Sequence, residues 1–143
     1  MKKMILLFSV GMLFTSLSSC KKAGCTDIKA DNYSSKVKTN DGSCVYSEKL
    51  IIWQDQAAAQ SWSGLAVVLK IYVDGTYLGS FSASEYLNST PNCDSNGQLN
   101  KMIDFGTANS KMVNVKVVDE DDYEWYNENV TMNAGNCSYY KVL

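Results

Sequence analysis

The nine residues from Leu65 to Val73 constrain the fold of this 143-residue chain more than any other stretch. Large apolar side chains occupy every second position there: Leu65, Val67, Leu69, Ile71 and Val73. Alternation with a period of two is typical of a β-strand that buries one face. Asp74-Gly75 follows directly, and glycine accepts the positive φ of a tight turn, so the segment 77–82 is predicted to return as the hairpin partner.

Other segments have the same β-prone composition. Further strands are predicted at 50–53, 99–105, 112–118, 123–132 and 137–143, with loops at 54–64 and 88–97 and an acidic connection at 119–122. A helical turn at 57–60 is an option, and 84–87 is predicted as a turn of helix or a crossing segment. About seven short strands without helical periodicity predict an all-β fold. We expect an antiparallel β-sandwich of Greek-key or immunoglobulin-like type over residues 48–143.

The N-terminus has the composition of an export signal. Lys2 and Lys3 precede a stretch from Met4 to Ser19 without a charged side chain. This order is typical of a secretory signal, and the apolar part is short for a membrane span. The sequence Leu17-Ser18-Ser19-Cys20 resembles the lipobox of bacterial lipoproteins. The alternative is an ordinary cleaved signal followed by an incidental cysteine.

The lipobox resemblance implies where the chain is held. Residues 1–19 would be a signal peptide, Cys20 would become the acylated first residue, carrying palmitate-type chains, and residues 20–24 would form a tether. Several acyl chains hold a protein to a bilayer stably, because each buried methylene contributes about 0.8 kcal/mol. The membrane is therefore the first expected partner, and an envelope location on the outer membrane is expected. Surface-exported lipoproteins of the Bacteroidetes usually carry acids after this cysteine, whereas Lys21-Lys22 follows here, which favours the periplasmic face.

Four cysteines remain after Cys20, and an even number in an exported chain suggests two disulfides. Three pairings are open; we prefer Cys25–Cys44 with Cys93–Cys137, because each pair lies within one compositional segment. A four-cysteine zinc site is the main alternative, but no two of these cysteines are close in sequence, as zinc ligands usually are.

The segment 25–47 is predicted to be a small cysteine-bounded module, because it is polar and rich in turn formers. Its sequences Gly24-Cys25-Thr26-Asp27, Ala30, Asn32-Tyr33 and Asp41-Gly42-Ser43-Cys44-Val45-Tyr46 resemble a short repeat of exported Bacteroidetes proteins. That resemblance implies a spacer or accessory module. Asp27, Asp31 and Asp41 are weak candidates for calcium, but the spacing of a calcium loop is missing, so turn formation is the preferred interpretation.

Two further resemblances concern the sandwich. The stretch Ile71-Tyr72-Val73-Asp74-Gly75-Thr76-Tyr77-Leu78-Gly79 is similar to the core of the PEGA repeat, although Ser80-Phe81 replaces the usual Thr-Pro. It implies a β-hairpin in an accessory domain. The closing segment, with Gly135 and Cys137, resembles small Bacteroidetes β-lipoproteins.

Composition argues against several functions. The chain has no histidine, which removes the commonest general base and the Ser-His-Asp and Cys-His arrangements. The part after residue 19 keeps 11 lysines and all 15 acids, so no concentrated basic face for nucleic acid is expected. We therefore expect no enzyme and no cofactor, although a paired-carboxylate hydrolase remains the third alternative.

Aromatic side chains are the remaining candidates for ligand binding. Trp53 lies in an apolar run and is expected in the core. Trp62 lies in a polar loop and Trp125 is flanked by Glu124 and Tyr126, so both are expected to be exposed. They would provide a platform for a glycan or a peptide, or else fill the core and its edges. The leading hypothesis is a lipid-anchored, non-catalytic accessory module with a glycan or an envelope protein as partner. A carbohydrate- or calcium-dependent adhesive protein is the alternative.

Overall fold

The computed structural model describes residues 22–143 of the chain. The predicted signal peptide, the lipobox at 17–20 and the acylation site Cys20 lie outside the described residues. Among the residues described, no helix has the length and apolar character needed to cross a bilayer.

The described chain is built almost entirely from strands. Its elements are β1 (Ala23–Gly24), β2 (Thr39–Asn40), β3 (Tyr46–Trp53), α1 (Gln56–Ser61), β4 (Val68–Val73), β5 (Thr76–Ser82), β6 (Leu99–Gly106), β7 (Ser110–Val118), β8 (Glu124–Asn133) and β9 (Ser138–Lys141). Seven of these strands lie in the predicted sandwich region, as expected. The hairpin between β4 and β5 turns at Asp74 and Gly75, both of which have positive φ.

Two sheets face each other. One has four antiparallel strands in the order β5-β4-β7-β8, and the other has three strands in the order β6-β3-β9. The predicted antiparallel sandwich is confirmed, with one difference: β9 runs parallel to β3, with Ser138 opposite Leu50. The first and last strands of the sandwich are therefore neighbours.

The core lies between the two sheets. β4 and β7 contribute two sets of fully buried aliphatic side chains, and β3 and β6 face them from the other sheet: Leu69, Ile71, Val73, Val113, Val115, Val117, Leu50, Ile52 and Ile103. Each such side chain stabilises the fold by about 1.5–3 kcal/mol when it leaves water. The alternation predicted for Leu69 to Val73 and for Val113 to Val117 is confirmed.

The prediction that Leu65 and Val67 share the buried face is wrong. They are 57% and 68% exposed. The backbone N–H of Leu65 donates to the carbonyl of Trp62 in a turn, and the N–H of Val67 donates to the Glu120 carboxylate. The N–H groups of Leu65 and Val67 are thus bonded outside the sheet, and β4 begins at Val68.

The cysteine-bounded module is part of the same core. Cys25 and Cys44 form the preferred disulfide, and both are buried within the sandwich cluster. β1 and β2 pair in parallel, and Val37 packs so closely on Gly24 that a Cβ there would lie 3.1 Å from a valine methyl. The module therefore closes one end of the sandwich.

A long loop covers the outer face of the three-stranded sheet. We call residues 83–98 the stapled loop, because the disulfide between Cys93 and Cys137 ties it to the chain just before β9. Gln54 is fully buried at its base, and its side-chain amide donates to the carbonyls of Ala83 and Glu85. Ile51, which points away from the main core, is also fully buried.

Candidate functional site

The structure brings the two predicted binding tryptophans together. Trp62 and Trp125 meet edge to face with ring centroids 5.3 Å apart, and Tyr126 and Tyr123 complete a cluster that we call the aromatic corner. The prediction that Trp62 is exposed is wrong, because only 3% of it is accessible. Its position after α1 turns it inward under β8, and Trp125 is itself half-buried against the core. Such contacts contribute about 0.5–1.5 kcal/mol beyond area burial, so the corner is a stabilising element.

The acidic connection is held to this corner. Asp119 is buried, and its carboxylate accepts hydrogen bonds from the Trp125 indole Nε1 at 2.9 Å and from the backbone N–H groups of Tyr123 and Asp121. Burial acts to raise the pKa of Asp119, but these hydrogen bonds favour the ionised form, and the net pKa is below the ordinary value. Asp119 is therefore not a solvated side chain of the acidic connection, but the anchor of a tight turn.

Two further acids of the connection, Glu120 and Asp122, bond to β4 and to the residue before it. The Glu120 carboxylate accepts the N–H groups of Val67 and Val68, while Lys70 Nζ lies 2.7 Å from the Asp122 carboxylate. The hydrogen bonds from Val67 lead the causes that lower the pKa of Glu120. These carboxylates are occupied by the protein's own donors.

The weak calcium candidates do not converge. Asp27 accepts the N–H of Lys29 and the hydroxyl of Tyr46, and Asp41 accepts the N–H of Ser43. The bonds from Lys29 and Ser43 belong to tight turns, whereas the Tyr46 bond joins distant parts of the chain; the bonds to Lys29 and Tyr46 lower the pKa of Asp27, and those to Ser43 lower the pKa of Asp41. Within residues 22–143, no group of three or more acidic, cysteine or histidine side chains is placed to hold a metal ion.

An uncovered sheet surface carries a different set of side chains. On the outer face of the four-stranded sheet, one row crosses all four strands: Tyr77 on β5, Tyr72 on β4, Lys116 on β7 and Asn127 on β8. We call this surface, with the adjacent Asn114 and Asn129, the open face. The two tyrosine rings are 5.5 Å apart, and Lys116 Nζ lies 4.9 Å from the centre of the Tyr72 ring.

The open face was not predicted as a site from the sequence. The signal was present, because the alternation that buries Leu69, Ile71 and Val73 places Tyr72 on the opposite side. The position of Tyr77 could not be read in the same way. A β-bulge inserts Leu78 between the partners of Tyr72 and Ile71, and the bulge restores Tyr77 to the outer face.

The stapled loop encloses a cavity of its own. It has a volume of about 490 Å³ and is lined by residues 87–92 and 95–97, which carry hydroxyl and amide groups but no charge. Asn92 is used within the loop, where its side chain accepts the N–H groups of Asp94 and Ser95. The cavity therefore lies within a loop that is braced by its own hydrogen bonds.

Comparisons with protein-family models, curated proteins and solved structures return no match for this chain.

Proposed function

We propose that this protein is a lipid-anchored, non-catalytic accessory module of the bacterial envelope. The observation that carries the proposal is the position of β1. It begins at Ala23, only three residues after the cysteine of the lipobox-like sequence. Three fully extended residues span at most about 11 Å, so acyl chains on Cys20 would hold the folded body against the headgroups.

Lysines surround the point where the described chain begins. Lys22, Lys36 and Lys38 are exposed, and the N–H of Lys38 donates to the carbonyl of Lys22. The salt bridges found among the described residues, Lys70–Asp122 and Lys141–Asp55, involve none of these three lysines. Unpaired lysines next to a lipid anchor favour anionic headgroups, each by about 1 kcal/mol.

The covalent structure suits an exported protein. The structure forms both preferred disulfides, Cys25–Cys44 and Cys93–Cys137, and disulfides persist in oxidising compartments. With these cysteines oxidised and no histidine in the chain, the usual nucleophile–base pairs are missing. The carboxylates with lowered pKa values serve turns and caps, which supports a non-catalytic role. Lys21 and Lys22 support the periplasmic face of the outer membrane.

The test is membrane fractionation of cells that express the full chain. The wild type should lie in the membrane fraction and incorporate labelled palmitate, whereas Cys20→Ala should incorporate none and should accumulate as the larger precursor, uncleaved before residue 20. The control is the double variant Cys93→Ala/Cys137→Ala, which removes two other cysteines and should stay in the membrane. Wild-type protein that is soluble, or whose mature N-terminus is not residue 20, would refute the anchor. Protease treatment of intact cells then tests the face, since periplasmic protein should be protected.

Trp62 and Trp125, the residues first predicted to bind a ligand in the adhesive alternative, are poorly placed for that role. Trp62 is buried, and the indole N–H of Trp125 is already bonded to Asp119, so neither tryptophan offers a free polar edge to a glycan, and the exposed ring of the aromatic corner is that of Tyr123. The glycan version of that alternative is better supported at the open face.

A further inference from the structure

We infer that the open face binds an oligosaccharide, with Tyr77 as the stacking platform. The inference deepens the proposed function and rests on it for the non-catalytic binding role, but binding at this face does not require the acyl chain. The side chains of the face differ in kind from those of any buried surface in the molecule. They are aromatic, amide and ammonium groups rather than aliphatic ones.

The two sheets differ in what covers them. The stapled loop buries Ile51 on the outer side of the three-stranded sheet, whereas Tyr77 on the outer side of the four-stranded sheet is 54% exposed. Asn127 and Asn129 are also exposed, and Tyr72, Lys116 and Asn114 are half-buried. Exposed polar and aromatic side chains in one row form a surface that a flat, extended ligand can contact.

The aromatic pair is held in place before any ligand arrives. Tyr72 and Tyr77 are directly opposite each other in the register, and their rings are tilted by 58°. Lys116 lies over the Tyr72 ring, so Tyr72 is occupied and acts as the support. Tyr77 keeps the more accessible ring. The apolar C–H face of a sugar ring packs on such an aromatic surface, while its hydroxyls stay free for hydrogen bonds.

The polar side of the row matches hydroxyl groups. Asn114 Nδ2 donates to the side-chain oxygens of Asn127 and Asn129, at 2.8 Å and 3.2 Å. This arrangement fixes the orientation of the three amides, and the Asn129 Nδ2 has no hydrogen-bond partner among the described residues. Amides both donate and accept, as hydroxyls do, so they can pair with a sugar without leaving a buried group unsatisfied.

Lys116 adds a donor that is not consumed by an ion pair. On the neighbouring strand β4, by contrast, Lys70 contacts the Asp122 carboxylate. The row crosses three gaps between strands, about 14 Å in all at roughly 4.8 Å each, which suits a chain of sugars better than one. An apolar protein partner would meet few aliphatic side chains along this row.

The test uses the full-length mature protein in detergent and affinity electrophoresis through gels that contain xylan, mannan, a soluble β-glucan, alginate or polygalacturonate. We expect retardation by at least one polysaccharide, at least tenfold weaker binding in Tyr77→Ala, and near-normal binding in Tyr77→Phe. The matched control is Tyr86→Ala, which removes another exposed tyrosine, outside the sheets. Lys116→Met distinguishes acidic from neutral glycans. If this variant loses more affinity for the two acidic polysaccharides than for the neutral ones, the ligand is an acidic glycan; if it loses the same affinity for both kinds, the ligand is a neutral one.

Three outcomes would overturn the inference. In the first, no polysaccharide in the set retards the wild-type protein, as expected for a face that binds protein instead. In the second, Tyr77→Ala leaves binding unchanged. In the third, Tyr86→Ala weakens binding as much as Tyr77→Ala does. Thermal unfolding of each variant shows whether a loss of binding comes with a loss of folding, and Tyr77→Phe decides the matter if Tyr77→Ala is unstable. Failure here leaves the membrane anchor untouched, because acylation and processing of the wild type and Cys20→Ala test the anchor separately.

Discussion

Gly97 offers a sharp test of how the stapled loop is fixed to the sheet. Its φ is +60°, and a Cβ added there would lie 2.6 Å from the Ile51 Cγ2 and 2.7 Å from the Ile52 carbonyl oxygen. The second contact is with the backbone of β3, which cannot retreat without disturbing the bond from the Gln98 N–H to the same carbonyl. Gly97→Ala should therefore force the loop away from the sheet.

Two destabilising contributions add in Gly97→Ala. Placing alanine in the left-handed region costs about 1–2 kcal/mol, and overpacking a closely fitted site costs about 1–3 kcal/mol. The matched control is Gly64→Ala, at φ +77° with nothing within 4 Å of the added Cβ, so only the first cost applies. We expect Gly97→Ala to lose about 2–5 kcal/mol of unfolding free energy and to exceed the control by about 1–3 kcal/mol.

The assay is urea unfolding of the oxidised proteins, followed by tryptophan fluorescence and fitted with a common slope. The difference between the two variants isolates the steric contacts, because the backbone cost is shared. If both variants lost the same free energy of unfolding, the close approach of the loop to β3 would be refuted.

Three further predictions concern stability. Removing the second disulfide with Cys93→Ala/Cys137→Ala should lower the free energy of unfolding by about 4 kcal/mol, because the closed loop spans 44 positions; calorimetry that shows no change would contradict this. Because the folded pKa of Asp119 is depressed, its contribution is complete above the ordinary value of 3.8 and is lost as the pH falls through the folded pKa. Urea unfolding between pH 2 and 6 should therefore depend less steeply on pH in Asp119→Asn than in the wild type. Leu69→Ala should cost about 3–5 kcal/mol in the same assay, since Leu69 is fully buried; a loss under 1 kcal/mol would contradict the packing.

Local patterns were sufficient for much of the sandwich. The aliphatic alternation of β4 and β7, the Asp74-Gly75 turn and the composition of the segments that hold each cysteine pair are all short-range signals. They predicted the buried faces, the hairpin and the disulfides because each depends on neighbours in sequence or on the period of the strand.

What the sequence did not reveal depends on distant partners. Trp62 looks exposed in its polar loop, but Trp125 and Tyr126 on the distant strand β8 cover it. The strand alternation runs on to Leu65, yet the Glu120 carboxylate takes the backbone donor of Val67 and ends the strand. Asp119 belongs to an acidic run whose other members are exposed, and it is buried where its carboxylate accepts the indole N–H of Trp125. Such long-range bonds produce no periodic pattern in the sequence.

The parallel pairing of β9 with β3 has a consequence for how the protein is made. The C-terminal strand supplies the neighbour of the first sandwich strand, and Cys137 and the buried Val142 belong to the same final segment. Until β9 has been synthesised, one side of β3 stays unpaired. Folding of the sandwich is therefore completed only after β9 is made, and truncation before Ser138 should yield proteolysed fragments rather than shortened working copies.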